Sequence, residues 1–297
     1  MPSRTMRTNA VFAFLLLFLF SGLSFGSTST STTLKKEYSH KAVQSSNQAH
    51  TPLPDLRKYP SGTPRKKAFL KTIVPVIEKV NQEIMAERKW LLSVRKNKKW
   101  SAQELRRLAQ ICNSYGMTCT SPNRVNWDKL LSRVDIMPTH LVATQAATES
   151  GWGTSQLAQQ NGNLFGMRCG RGCQVNQGKI KGYSAYNSVE ETVSAYMKNM
   201  NTHNAYESLR SSRAKQRLSK DELDTTKLIN DMKGYSQLGS SYNRYLQEMY
   251  VSNEELITQA QKNGIDSNLI CITRYKYSSK IHFFIKWIFS YCNQADY

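Results

Sequence analysis

The run Leu141-Val-Ala-Thr-Gln-Ala-Ala-Thr148 is apolar or small on almost every side, and this limits what the chain can fold into. A helix with no polar face has to be enclosed by other elements. Pro138 stands where a first helical turn tolerates it, and Gly151 and Gly153 suit a tight turn at the far end. Elements able to enclose it are legible on both sides. Phe69, Leu70, Ile73, Ile77, Val80 and Ile84 recur at three- and four-residue spacing, which predicts a helix from about Ala68 that Pro75 bends or divides. Ser101 and Glu104 form a capping box opening a helix that ends near Gly116, and a short helix follows over 127–134. Helical sequence resumes at Thr154 and fails at Asn161-Gly-Asn163. A second box, Ser188 with Glu191, opens a helix through about Asn199, and 222–233 and 242–261 also read as helical. Between Leu164 and Tyr186 the pattern breaks into glycines, cysteines and Lys179-Ile-Lys181 alternation, which predicts a small hairpin or irregular lobe. The expected class is therefore mainly α, an α+β helical domain with a small β lobe.

The flanks read differently. Residues 1–26 carry Arg4 and Arg7, an apolar run from Val11 to Phe20 and small residues at Ser24-Phe-Gly26, the pattern of an export signal. Residues 27–64 are rich in Ser, Thr, Gln, Lys and Pro and read as a flexible linker. The folded domain is expected over 65–264. In the tail, 265–297, Lys, Tyr, Ile and Phe dominate, and its apolar stretch is too short to span a bilayer. Three readings of it stay open: an interfacial anchor touching a membrane surface, a packed strand pair, or an unrelated extension.

The net charge of +20 favours an anionic partner. Export directs that preference away from nucleic acid and toward an envelope polymer or membrane surface, so the expected location is the periplasm or cell envelope. All six cysteines lie outside the signal. In an oxidising compartment Cys112 with Cys119, and Cys169 with Cys173, suggest two local disulfides, and Cys271 with Cys292 offers a third, though spacing does not fix connectivity. No cysteine–histidine set has metal-binding spacing, and no nucleotide-binding glycine loop is present, so no metal and no cofactor is expected.

The chemistry concentrates where the buried helix ends, at Glu149-Ser-Gly-Trp-Gly153. A carboxyl there meets the negative end of the helix dipole, and cover from Trp152 would disfavour its charged form further. An acid kept protonated near neutral pH can donate a proton to a leaving oxygen. The plain alternative is an exposed carboxylate closing a helix.

The segment 143–158, Ala-Thr-Gln-Ala-Ala-Thr-Glu-Ser-Gly-Trp-Gly-Thr-Ser-Gln-Leu-Ala, followed by Asn163-Leu-Phe-Gly-Met167, resembles the glucosaminidase domain of family 73 glycoside hydrolases. That family includes the flagellar rod hydrolase and cell-separation autolysins. The likeness continues through 182–196, Asn201 to Tyr206 and Lys233-Gly-Tyr-Ser236, and the upstream stretch Leu53 to Lys67 resembles one member of the family in particular. It implies a lysozyme-like helical domain whose small β lobe flanks a substrate groove. It further implies cleavage of the β-1,4 bond after N-acetylglucosamine in peptidoglycan glycan strands, with Glu149 as general acid. Tyr235 matches a position where a tyrosine lines the site. Ser150, Trp152, Asn163, Phe165, Tyr183 and Tyr206 become candidate substrate-binding residues, although each aromatic reads equally as core and Asn163 as turn chemistry. The chain is expected to act as a monomer.

Glycosidases commonly use two carboxylates, and here the pattern departs from the family, because 164–186 contains no Asp or Glu. Glu191 is the candidate second acid, yet it also fits the box with Ser188, and substrate assistance by the 2-acetamido group would remove the need for it. Two rivals to hydrolysis after N-acetylglucosamine stand beside it: a muramidase or lytic transglycosylase of lysozyme-like fold, and a non-catalytic wall-binding protein.

Overall fold

The computed structural model describes residues 52–170, 179–219, 222–232 and 240–264. The expected signal, most of the linker, the tail, Tyr235 and Cys173 lie outside them. Nine helices are named in chain order: α1 Thr63–Val94, α2 Ala102–Ser114, α3 Trp127–Arg133, α4 Thr139–Ser150, α5 Gln156–Asn161, α6 Val189–Thr202, α7 Glu207–Ser219, α8 Thr225–Asn230 and α9 Ser240–Val251. A further helical run covers 254–264.

As the all-round apolar pattern requires, α4 is central. Leu141, Val142, Ala143, Ala146 and Ala147 are buried, and so are Thr144 and Gln145. Helices α1, α8 and α9 pack against it, and α6 packs on α1. The stripe from Phe69 to Ile84 is the buried face of α1. Pro75 does not divide this helix; the buried neighbours Val74, Val76 and Ile77 hold it against the core on both sides of the missing backbone donor. The start of α4 is clamped from α1, where Asn81 donates to Met137 O at 2.8 Å and accepts from Met137 N at 3.1 Å.

The expected linker is already folded before its predicted end. Asp55 caps a 3-10 turn, Leu56–Lys58, and Leu56 is fully buried. The capping box at Ser101 forms in both directions. The helix predicted over 242–261 is broken at Ser252-Asn253, where Asn253 donates to Met249 O at 2.7 Å and accepts from Lys66 Nζ at 2.8 Å.

Helix α7 is missing from the apolar pattern because its inward face is polar: Arg210, Arg213 and Gln216 are buried. Arg213 bonds Ser132 O at 2.6 Å, Ile136 O at 2.9 Å and Asn201 Oδ1 at 2.8 Å. Buried Asp135 accepts from Arg217 at 3.0 Å and lies 3.6 Å from Arg88 and 3.9 Å from Arg213. This one carboxylate ties the loop before α4 to α1 and α7.

The small β lobe is not seen as strands among the described residues. Arg168 and Tyr183 form an isolated antiparallel bridge, with Ser184 N bonded to Met167 O at 2.9 Å and Cys169 N to Gly182 O at 3.3 Å. Cys112 and Cys119 are joined by a disulfide, and Cys169 is disulfide-bonded. No helix among the described residues is long and apolar enough to cross a membrane.

Candidate active site

Glu149 is the penultimate residue of α4, whose end is set by three successive residues with positive φ: Gly151 at 57°, Trp152 at 59° and Gly153 at 76°. Trp152 is the one non-glycine residue in that region among those described, a costly conformation for a bulky side chain. The surroundings enforce it. Ser150 Oγ donates to Ala146 O at 2.6 Å and accepts Gly153 N–H at 2.7 Å, while Trp152 N–H reaches Ala147 O at 2.9 Å. Ser150 is fully buried, so its hydroxyl fastens the turn and presents no surface to a substrate.

From behind, the turn rests on the N-terminal elements. A Cβ at Gly153 would lie 2.5 Å from Leu56 Cδ1 and 3.2 Å from Phe69 Cδ2, so a larger residue would have to push these side chains aside. Trp152 meets the Phe69 ring edge-on at 5.7 Å, and Lys66 Nζ stands 5.0 Å from the centre of the indole. The Trp152 ring is thus held on α1.

The carboxyl of Glu149 is partly buried among tyrosines. The Tyr242 hydroxyl, on α9, donates to Oε1 at 2.6 Å. Burial pushes the Glu149 carboxyl above its ordinary range, and the Tyr242 bond opposes that push in part. On the other oxygen, a Cβ added at Gly166 would sit 3.8 Å from Oε2, so bare backbone faces it. Tyr196 on α6 donates to Gln145 Oε1 on α4, shares a hydrogen bond with the Tyr206 side chain, and feels the charge of Glu149.

The other candidates divide. Phe165 is buried and stacked on Tyr196 at 3.8 Å, and Tyr206 is buried beside it. Both are packed around Tyr196. Asn163 is fully buried and spent on backbone: Nδ2 donates to Met167 O and Ser184 O, and Oδ1 accepts from the Phe165 and Met167 amides. It shapes the loop that delivers Gly166. Tyr183 is partly exposed, with the Arg168 guanidinium 4.9 Å from its ring. Glu191 caps α6, its Oε2 accepting Asn187 N–H at 2.7 Å while its own amide donates to Ser188 Oγ. Tyr235 lies outside the described residues.

Tyr242 was not anticipated. The signal was present: Tyr242 and Leu246 share one helical face, and a buried tyrosine on such a face needs a partner for its hydroxyl. A cavity of about 260 Å³ lies elsewhere, lined by Leu53, Gln159, Lys179, Tyr186, Ser188 and Thr192, without Glu149. Among the described residues no His, Cys, Asp and Glu cluster could hold a metal.

A protonatable carboxyl at a buried helix end, in a tyrosine pocket beside a strained glycine-rich turn, defines a class that the comparisons identify. Residues 125–287 match the glucosaminidase family, described as mannosyl-glycoprotein endo-β-N-acetylglucosaminidase, and the chain belongs to that family of glycoside hydrolases. Among individual proteins, it is 52% identical over 225 residues to protein bax of Escherichia coli (strain K12), covering 75% of this chain and 80% of that protein. No solved structure matches.

Proposed function

We propose that this chain is an exported endo-β-N-acetylglucosaminidase that hydrolyses the β-1,4 bond after N-acetylglucosamine in peptidoglycan strands, with Glu149 as general acid. The observation that carries the reading is the placement of the carboxyl: it is largely enclosed at the end of α4, bonded by Tyr242 on one oxygen and facing bare backbone at Gly166 with the other, and burial pushes its pKa up. Glu149 protonates the leaving glycosidic oxygen as the C1–O bond breaks. The basic surface suits a polymer whose stems carry carboxylates, and the leader-like residues 1–26 suit an envelope address.

Glu191 is a weaker second acid than the sequence allowed, because its Oε2 is engaged in the cap of α6. With no Asp or Glu in 164–186, the reading that fits is substrate assistance. The acetamido oxygen attacks C1 as the leaving group departs, forming an oxazolinium ion. Water then opens the ring, giving its proton to the Glu149 carboxylate. Tyr235 is retained as a group orienting the acetamide or the water.

The test pairs Glu149→Gln with mass spectrometry of digested sacculi. The unaltered chain should release fragments ending in reducing N-acetylglucosamine with retained configuration, and the variant should release none while still binding sacculi. Anhydromuramic ends would make it a lytic transglycosylase instead, and inversion would remove substrate assistance.

A further inference from the structure

A carboxylic acid can carry its proton on either oxygen, and only one of the two positions of Glu149 serves catalysis. The carboxyl is asymmetric in this fold. Oε1 accepts a 2.6 Å hydrogen bond from Tyr242, which arrives 93 residues later in the chain on α9, while Oε2 faces the side-chain-free backbone of Gly166. A phenol donating to Oε1 makes that oxygen the carbonyl of the protonated acid. The proton is left on Oε2.

Resting on the reading of Glu149 as the acid, we propose that Tyr242 is a positioning residue that holds the transferable proton on Oε2, aimed past Gly166 at the glycosidic oxygen. The placement is robust for physical reasons. Tyr242 is nearly fully buried, α9 packs along α4, and Leu246, one turn on, is fully buried in the same interface. The phenol therefore has little freedom to turn away. Gly166, at φ 64°, is delivered by the loop that Asn163 ties down, so both sides of the carboxyl are fixed by buried groups. After proton transfer the same bond is charge-assisted and stabilises the carboxylate that must take a proton back from water.

Among the described residues, few titratable groups surround the carboxyl. Tyr242 faces it from α9 and Tyr196 from α6, with Tyr206 behind Tyr196. On α1, Lys66 stands over Trp152 near the same end of α4, while Glu78 of α1, bonded to Thr139, and Tyr250 of α9, packed on His140, lie at its opposite end.

Tyr242→Phe removes the hydroxyl and keeps the ring. The expected result is a fall in kcat of about ten- to a hundredfold on peptidoglycan at unchanged KM. The alkaline limb of the kcat profile should move to higher pH at the same time, because the donor that favoured the carboxylate is gone while burial remains. A merely structural role would lower activity without that upward shift. Unchanged kcat, or a loss with the limb unmoved or shifted down, overturns the proposal. A second readout is independent of turnover: the infrared C=O stretch of the protonated carboxyl, assigned by its disappearance in Glu149→Gln, should rise in frequency in Tyr242→Phe as the carbonyl loses its donor. No rise overturns it as well. If Glu149→Gln keeps full activity, the acid reading fails, whereas the infrared result still judges the contact.

Discussion

The tightest contact behind the acid is the one between Gly153 and the 3-10 turn at Leu56, and Gly153→Ala tests it. Two effects add. An L-residue at φ 76° is in the left-handed region, which costs roughly 1–2 kcal/mol. The new methyl also lies 2.5 Å from Leu56 Cδ1 and 3.2 Å from Phe69 Cδ2. Both side chains are fully buried, and Phe69 also meets Trp152 edge-on, so the new methyl has to displace packed groups. Overpacking of this kind costs about 1–3 kcal/mol, giving a sum of about 2–5 kcal/mol. Equilibrium urea denaturation should show a lower midpoint with an unchanged slope. Gly151→Ala is the control, because φ is 57° but the added methyl meets only Thr154 Oγ1, at 3.6 Å; the backbone cost alone is expected. In a Leu56→Ala background the penalty of Gly153→Ala should shrink by the packing part, about 1–3 kcal/mol. A Gly153→Ala protein within about 0.5 kcal/mol of the parent, or a cycle with no coupling, would refute the contact as described.

Asp135→Asn should destabilise by about 3–5 kcal/mol in the same assay, since it leaves the buried guanidinium of Arg213 and its neighbours Arg88 and Arg217 without their carboxylate; a loss near zero would mean the cluster is not a structural tie. Replacing Cys112 and Cys119 by alanine opens a loop with a separation of 7 residues. The entropic expectation is a loss of about 2–3 kcal/mol, read as a lower denaturation midpoint. Glu149→Gln should be stabilising at pH 8 and neutral at pH 4. The folded-state pKa lies above its ordinary 4.5, so the native state holds the proton more tightly and stability falls as pH rises through the raised value. Equal melting temperatures of parent and variant at pH 8 would contradict this.

How much of this was legible beforehand depends on what each residue advertises. The enclosed helix was, because a run that is apolar on every side has to be covered, and α4 is buried as that pattern demands. Helix α7 was not, because hydrophobic periodicity cannot register a core face built of Arg210, Arg213 and Gln216. Its guanidinium groups are buried against backbone carbonyls and Asp135, which only the tertiary arrangement supplies. Among the residues expected to bind substrate, Asn163 and Ser150 have their polar atoms consumed by the chain itself, which no local motif advertises. Tyr242 is the converse, a residue with no local motif whose importance comes from a partner 93 positions away.

The same contacts bear on how large the working unit is. The family match begins at residue 125, but the acid's turn is braced by residues before it. Leu56 and Phe69 back Gly153, Lys66 stands over Trp152, and Asn81 clamps Met137 at the start of α4. The apolar side chains that α1 buries, from Phe69 to Val94, form one wall of the core against which α4 and α6 pack, and each is worth roughly 1.5–3 kcal/mol of burial. The identity with the bacterial relative extends over 225 residues, more than the family match alone spans, in line with that dependence. A piece cut to 125–287 should therefore lack a cooperative thermal transition and expose the apolar faces of α4 and α6 to a hydrophobic dye. If that piece melts cooperatively and hydrolyses glycan at the full-length rate, α1 is an accessory and not a wall of the site.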